Sequence, residues 1–340
     1  MLTRHEEYET IFQMTTSFLA VITNSILFWL IKTKSPSSLG GYKYLMMYIA
    51  LFEIFYACLD FVFLPYMYSN ASGFLVFLDP IFDFPIEFLQ VVDYIFNGSL
   101  GMAMALFAIH FAYRYFCVSG NQAWTSTDPK RVAVWISIPL IVFCLFIAVC
   151  VAYLGKNQLS DGFMRYELET NTSIAYVGIF FDYRLSDEVN AHVYKGLACV
   201  FSIGFLCFFT MFFFGIKCRL KLQALTKDTT QSATTKSLQN RLFSVLIAQS
   251  MIPFFFVFCP ACVLCISIFF NFSNDYYGKV LTLTNAVYPV FDPLPNLLMI
   301  KPYRQALMFW KRGDGKGSNP KASTGSVPQR RSSFLVTDVP

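Results

Sequence analysis

Scanned for runs of apolar positions, the 340-residue chain divides into seven long hydrophobic stretches separated by shorter polar ones. A helix needs about 20 apolar residues to cross the hydrocarbon of a bilayer. Seven stretches reach that length: 10–31, 44–68, 88–116, 132–154, 196–216, 242–270 and 280–300. The last of them carries Asp292 and three prolines. The pattern predicts an all-α membrane protein built as a seven-transmembrane helix bundle, with residues 1–9 outside it. After residue 300, Tyr303, Ala306, Leu307 and Trp310 share one helical face with Arg304 and Lys311 beside it. That spacing predicts a short amphipathic helix over 301–312 on the inner leaflet. The Gly-, Ser- and Pro-rich stretch 313–340 reads as a disordered cytoplasmic tail.

Composition sharpens this reading. Hydrophobic residues make up 56% of the chain and charged residues 14%, against about 25% charged in soluble domains. With 39 Phe and 19 Tyr, the lipid bilayer is the expected solvent and nucleic acid is not an expected partner. The ten cysteines all fall within or at the inner edge of apolar runs, where Cys packs as a small hydrophobe. Cys259, Cys262 and Cys265 recur three apart, but no His or acidic residue accompanies them, so no metal and no cofactor is expected.

Charge fixes the expected orientation. The leader MLTRHEEYET is acidic and the run behind it is too long for a cleaved signal, so the first helix is expected to be retained with its start outside. With that end outside, 20 of the 26 basic residues fall on the inner side, and only Arg4, Lys156, Arg165, Arg184, Lys195 and Lys279 fall outside. Excess Lys and Arg on the cytoplasmic side is the known bias of membrane proteins. Three N-x-S/T sequons, at Asn70, Asn171 and Asn271, lie one in each outer loop, where glycosylation is expected. A fourth, at Asn97, lies inside span three and is expected to be unused.

Ionisable groups within a bilayer are costly and therefore candidates for function. Glu53 and Asp60 stand seven apart in span two, on one helix face. At a rise of ~1.5 Å per residue, Asn24, Glu53 and Asp292 lie roughly 11, 14 and 12 Å from the inner ends of spans one, two and seven. They form an expected polar cluster in which one carboxyl is protonated or a small cation is shared. Asp93 opens span three at its outer mouth, with Asn97 one turn below, and Arg114 closes it roughly 31 Å further in. His110 suits a structural hydrogen bond more simply than a switch. From depth alone, the ligand-binding candidates of the outer bundle are Phe63, Asp93, Phe96, Asn97, Phe258, Asn285 and Tyr288. Prolines interrupt spans two (Pro65), four (Pro139), six (Pro253, Pro260) and seven (Pro289, Pro293, Pro295) and supply hinge points.

Four stretches together resemble a known family: LGGYKYLM (Leu39–Met46), HFAYRYF (His110–Phe116), QSMIPFFFVFCP (Gln249–Pro260) and YPVFDPLPNLLMIKPYR (Tyr288–Arg304). In order and spacing they look like the nematode seven-transmembrane chemoreceptors of the Str and Srj type, the group that includes the diacetyl-type odorant receptor. The resemblance implies a G-protein-coupled receptor with a small-molecule, even volatile, ligand in the outer bundle and a cytoplasmic heterotrimeric G protein as partner. It implies that Arg114, with Tyr113 and Tyr115, serves G-protein coupling and that Asp292-Pro293 is the activation motif of helix seven. It further implies the plasma membrane, and the ciliary membrane of sensory neurons in particular. Two departures are visible. Tyr113 stands where rhodopsin-like receptors carry an acid, so a local ionic lock is missing, and no Cys is placed to tie the second outer loop to span three, which leaves that loop's rigidity in question.

A transporter or ligand-gated channel is the rival reading, disfavoured by an odd span count and a polar cluster set low rather than at mid-membrane. An enzyme is not expected, since Glu53 and Asp292 are the sole candidates for a catalytic pair. In the cytoplasmic parts, Ser333 follows Arg330-Arg331 as a phosphorylation candidate, and Cys218 is a candidate for palmitoylation.

Overall fold

The computed structural model describes residues 7–36, 39–71, 73–156, 161–162, 174–180, 187–227 and 233–313. Asn171, Ser333, the tail beyond Gly313 and the side chain of Trp310 lie outside the described set. Helix α1 (Glu7–Lys34) opens with acidic Glu7 and Glu9 and closes with Lys32 and Lys34, each charge complementing the nearer end of the helix dipole. Helix α2 (Tyr42–Phe63) stops at Leu64, which turns left-handed at φ 43°. Pro65 follows and cannot donate to a continuing ladder.

Here the structure corrects the sequence reading, which carried span two to residue 68 and treated Pro65 as a kink. Residues Pro65–Asn70 form strand β1, paired antiparallel with β2 (Gly73–Leu78). Tyr66, Met67 and Tyr68 alternate faces, which a strand resolves and an apolar helix does not require. A third strand, β3 (Tyr176–Phe180), pairs antiparallel with β2. Met67, Val76, Val177 and Ile179 of this sheet point into the main core, while Tyr66, Tyr68, Leu75, Phe77 and Tyr176 form a second cluster on its other face. The sheet is therefore a two-faced, buried cover at one end of the bundle.

Helix α3 (Ile86–Val118) is the axle, with 83% of its most apolar window buried, against 6% for the fifth span. After a short α4 (Gln122–Thr125), α5 (Pro129–Val149) begins with Asp128 capping the Lys130 amide and ends in a π-helical turn over Cys150–Leu154. Helix α6 (Asp187–Lys227) runs well past the predicted 196–216 at both ends and shows lipid Phe205, Leu206, Phe209, Phe212 and Phe213. Span six is α7 (Ala233–Pro253), a π-helical turn at Phe254–Phe258, and α8 (Cys259–Phe269). Span seven is α9 (Asp275–Phe291) and α10 (Leu294–Met299), broken between them by Asp292 and Pro293. Among the described residues, six helices are long and apolar enough to cross a membrane; this broken and more polar one completes the bundle as the seventh. Helix α11 (Lys301–Gly313) then buries Tyr303 fully and packs Ala306 and Leu307 on the core. All ten cysteines are free, and Cys218 is fully buried against Leu222, Phe243 and Leu246, which removes it as an acylation site.

The outer edge of β1 is closed by span seven. The Met67 amide donates to Thr282 Oγ1 (2.9 Å), Ser69 Oγ donates to the Asn274 carbonyl (2.7 Å), and the Ala71 amide reaches the Ser273 carbonyl (2.9 Å). Gly278 makes this approach feasible, because a Cβ there would run into the Met67 carbonyl. Backbone cannot yield as a side-chain tip can, so Gly278→Ala is expected to cost about 1–3 kcal/mol, the usual range for overpacking. The thermal unfolding midpoint of the detergent-purified protein should fall accordingly; an unchanged midpoint would show that the sheet does not bear on α9 in this way.

Candidate functional site

Three polar layers run through the bundle. At the end covered by the sheet, Gln13 Nε2 donates to Asp60 Oδ1 (3.0 Å) and to the Pro65 carbonyl (3.1 Å), and Ser17 Oγ donates to Asp60 Oδ2. Buried Glu9 meets Lys279 at 3.6 Å, and Lys279 meets Asp275 at 3.5 Å. Asp275 in turn accepts from Tyr66 (3.0 Å). Burial first, and the Asp275 carboxylate second, push the Tyr66 phenol well above its ordinary range, so it remains a donor. The layer ties spans one, two and seven to β1.

In the second layer, Asn285 Nδ2 donates to the Tyr56 hydroxyl, and the Tyr56 ring stacks on Phe96 (centroids 5.3 Å apart) and leans on Tyr288 (5.6 Å). Of the predicted ligand residues, Phe96, Asn285 and Tyr288 are thus gathered around one tyrosine that depth alone did not single out. Asp93 and Asn97 form a pair of their own. Asn97 Nδ2 donates to Asp93 Oδ1 and to the Asp93 carbonyl, both at 2.9 Å, and β3 comes down over the carboxylate at Val177. Asp93 is fully buried, seven residues inside a helix that starts at Ile86, and so is not at a solvated helix end. Two candidates stand apart. Phe63 sits among Phe84 and Phe88 on the outer wall, and half-buried Phe258 packs edge-on against Phe208 of span five.

The third layer holds Asn24, Glu53 and Asp292, all essentially inaccessible to solvent. A proline removes the amide that would bond the carbonyl four residues earlier. Pro293 thereby strips the Pro289 carbonyl of its helical donor, and Asn24 Nδ2 supplies the replacement at 2.9 Å. Asp292 Oδ2 accepts from Gln249 Nε2 of span six, and Gln249 Oε1 accepts from Asn296 Nδ2 (3.0 Å). Glu53 lies within electrostatic reach of Asp292 and against the Tyr288 hydroxyl. Neither Glu53 oxygen makes a well-formed hydrogen bond among the described residues. Gln249 lies within one of the family-like stretches, yet nothing in the sequence marks it as a partner of Asp292. A single amide in an apolar run signals little until the facing helix is known.

At the opposite end from the sheet, Arg114 is 2% exposed. One guanidinium nitrogen donates to Gln239 Oε1 (2.7 Å) and to the Gln239 carbonyl (3.1 Å) at the start of span six, and the cation lies 5.0 Å over the Tyr42 ring. Tyr42 stacks on Tyr113 and shares a hydrogen bond with His110, whose other ring nitrogen meets the Leu45 carbonyl. Tyr113 donates to the Thr125 carbonyl, while Tyr115 packs on Phe214. The missing ionic lock is replaced by a charge-assisted bond to a neutral side chain across spans three and six. Of the sequons, Asn70 ends β1 and Asn271 is exposed just after α8 at φ 57°.

Seven helices with span three at the centre and a sheet across one end define a receptor-type bundle. The crystal structure of squid rhodopsin superposes on 94% of this chain and 91% of its own with a TM-score of 0.60 at 14% identity, a likeness of fold. A family model described as serpentine type 7TM GPCR chemoreceptor Str matches residues 9–308. The G-protein coupled receptor str-217 of Caenorhabditis elegans is 30% identical over 309 residues, covering 87% of this chain and 89% of its own. Serpentine receptor class r-10 of the same nematode is 25% identical over 328 residues, covering 91% and 94%. The chain belongs to the Str family of serpentine chemoreceptors, a family of receptors and not of enzymes.

Two substitutions in the third layer should move stability in opposite directions. Gln249→Leu removes the donor to Asp292 and should cost about 1–3 kcal/mol for the buried group left unpaired. Glu53→Gln replaces a carboxyl that cannot be ionised together with Asp292 by a neutral amide that can donate to it, so its unfolding midpoint should equal or exceed that of the parent. A fall with Glu53→Gln as large as with Gln249→Leu would mean that the two carboxyls are held by something other than each other's surroundings.

Proposed function

We propose that this Str receptor is a chemosensory, odorant-type receptor of the plasma membrane, in particular the ciliary membrane of a sensory neuron. Its amino end is extracellular, its carboxyl end cytoplasmic, and glycans are carried at Asn70, Asn171 and Asn271. A small, largely apolar molecule binds in the outer half of the bundle, around Tyr56, Phe96, Asn285 and Tyr288, with Asp93 and Asn97 as polar contacts from span three. Binding changes the packing of span six and exposes a surface to a heterotrimeric G protein at the inner end. The observation that carries this reading is the Arg114–Gln239 bond, which clasps the inner ends of spans three and six across a family motif. A buried cation held by a neutral partner is secured in one state and free to take an acidic or carbonyl partner in another. The covered outer end and the aromatic surroundings of Tyr56, Phe96 and Tyr288 favour a ligand that is itself largely apolar.

Cells expressing the full chain and screened against odorants with a calcium or cAMP readout test the proposal. Arg114→Ala is expected to abolish the response while surface expression persists. Gln239→Leu is expected to raise ligand-independent signalling several-fold, since it loosens the clasp without touching the cation. A response that survives Arg114→Ala would defeat the coupling assignment, and a ligand-evoked current in cells lacking G proteins would favour a channel. Tags on the two termini read the orientation separately.

A further inference from the structure

The inner end of α1 and the start of α11 do not close on each other. They leave a groove of about 510 Å³ lined by Ile26, Trp29, Leu30 and Lys34 on one side and Pro302, Gln305, Ala306 and Leu307 on the other. Its walls are fixed. Ser35, just past α1, shares a 2.6 Å hydrogen bond with the fully buried Tyr303 of α11, and Ile300 turns the chain out of span seven with an extended backbone. The lining is graded along its length. Leu30 and Ile26 lie one and two turns further along α1 from its end than Lys34 and, with Ala306 and Leu307, make the apolar part of the lining, whereas the exposed Lys34 and Gln305 make its polar, open end.

Charge around that open end is of one sign. Lys32 and Lys34 close α1, and Lys301 and Arg304 open α11; all four are exposed, and among the described residues none has an ion-pair partner. An apolar cleft that ends in uncompensated cations at the depth of a lipid headgroup suits an anionic amphiphile. The apolar tail takes the place of water against Trp29 and Leu30, and the phosphate meets Lys34 and Gln305.

We infer that the groove between α1 and α11 is a binding site for an anionic phospholipid of the inner leaflet, with its acyl chain along Ile26, Leu30 and Ala306 and its headgroup at Lys34 and Gln305. The inference rests on the proposed orientation, which places this end of the bundle at the cytoplasmic leaflet. Occupancy would brace α11 against α1 next to the inner ends of the bundle.

Native mass spectrometry of the purified full-length protein, with phosphatidylglycerol or phosphatidylcholine added, tests it. Phosphatidylglycerol adducts should exceed phosphatidylcholine adducts. Lys34→Glu should reduce the former by about fivefold or more, since each surface cation contributes about that factor in binding anionic lipid, and should leave the latter unchanged. Ala306→Trp, which fills the cleft and keeps every charge, should reduce them too. Lys221→Glu, at the inner end of α6, should have no effect. Equal binding of the two lipids, a loss with Lys221→Glu matching that with Lys34→Glu, or full retention in Ala306→Trp would overturn the site. Cholesterol displacing phosphatidylglycerol from the parent protein would overturn it as well. Both variants change exposed or half-exposed positions, and unfolding midpoints confirm that they fold. The adduct measurement is made in detergent, so it is independent of which way the chain faces. Terminal tags found on one face in cells would fail the orientation alone.

Discussion

Hydrocarbon offers no hydrogen bonds, so every peptide group and polar side chain within it must find its partner in the same chain. Most of this architecture follows from that constraint. Where Pro293 breaks the ladder of span seven, the orphaned Pro289 carbonyl is met by Asn24 from span one. Where the chain abandons the helix after Phe63, it pairs with itself as a sheet, and the remaining edge of β1 is met by Thr282, Asn274 and Ser273. Where Asp60, Asp93 and Asp292 are buried, an amide or hydroxyl meets each of them: Gln13 and Ser17 of span one to Asp60, Gln249 of span six to Asp292 and, within span three itself, Asn97 to Asp93. Polar residues here act as addresses that specify which helix lies beside which, a task that uniform apolar faces perform poorly.

Much of this was legible from residues alone. Length and apolarity gave the helices, because crossing a bilayer demands both at once. The depth of Asn24, Glu53 and Asp292 put them in one layer, since a helix converts residue number into height with little error. Height is all that such arithmetic yields. It does not give azimuth, which is why Phe63 was placed in the pocket and stands on the outer wall, and why Tyr56, Gln239 and Gln249 were passed over. The strands were hidden for another reason. PYMYSN and GFLVFL are as apolar as the helices around them, and a short apolar run carries no period that separates the two states. Pro65 was the available signal, and it was read as a kink rather than as an ending.

The sheet also answers a question that the cysteines raised. Without a disulfide to span three, the sequence leaves open what gives the loop between spans four and five its rigidity. The structure adds β3 to the β1–β2 hairpin, and Gln90 of α3 binds the Tyr176 backbone on both its carbonyl (2.9 Å) and its amide (3.2 Å). Several backbone bonds, two side-chain bonds and the inward face of Val177 and Ile179 do together what one covalent link would do singly. The difference is physical: hydrogen bonds can be released and remade one by one, so this cover is firm without being permanently fixed.

Span six is where these constraints meet. Its inner segment, α7, is held by two polar contacts, Gln239 to Arg114 and Gln249 to Asp292. They are ten residues apart, roughly 15 Å along the helix. Just beyond the second, Pro253 and the π-helical turn over Phe254–Phe258 interrupt the regular ladder, and such turns are where helices bend. The segment inward of that break therefore behaves as a lever pinned at two points. Both pins are amides that lose little by exchanging partners, and both bind groups that cannot be left bare. Any motion of the lever must hand Arg114 and Asp292 to new partners at the moment it releases them. Asp292 is enclosed and must find its new partner within the bundle, whereas Arg114 lies at the end of the bundle away from the sheet. Under the proposed coupling, the Arg114 pin is the one that a partner protein would take over.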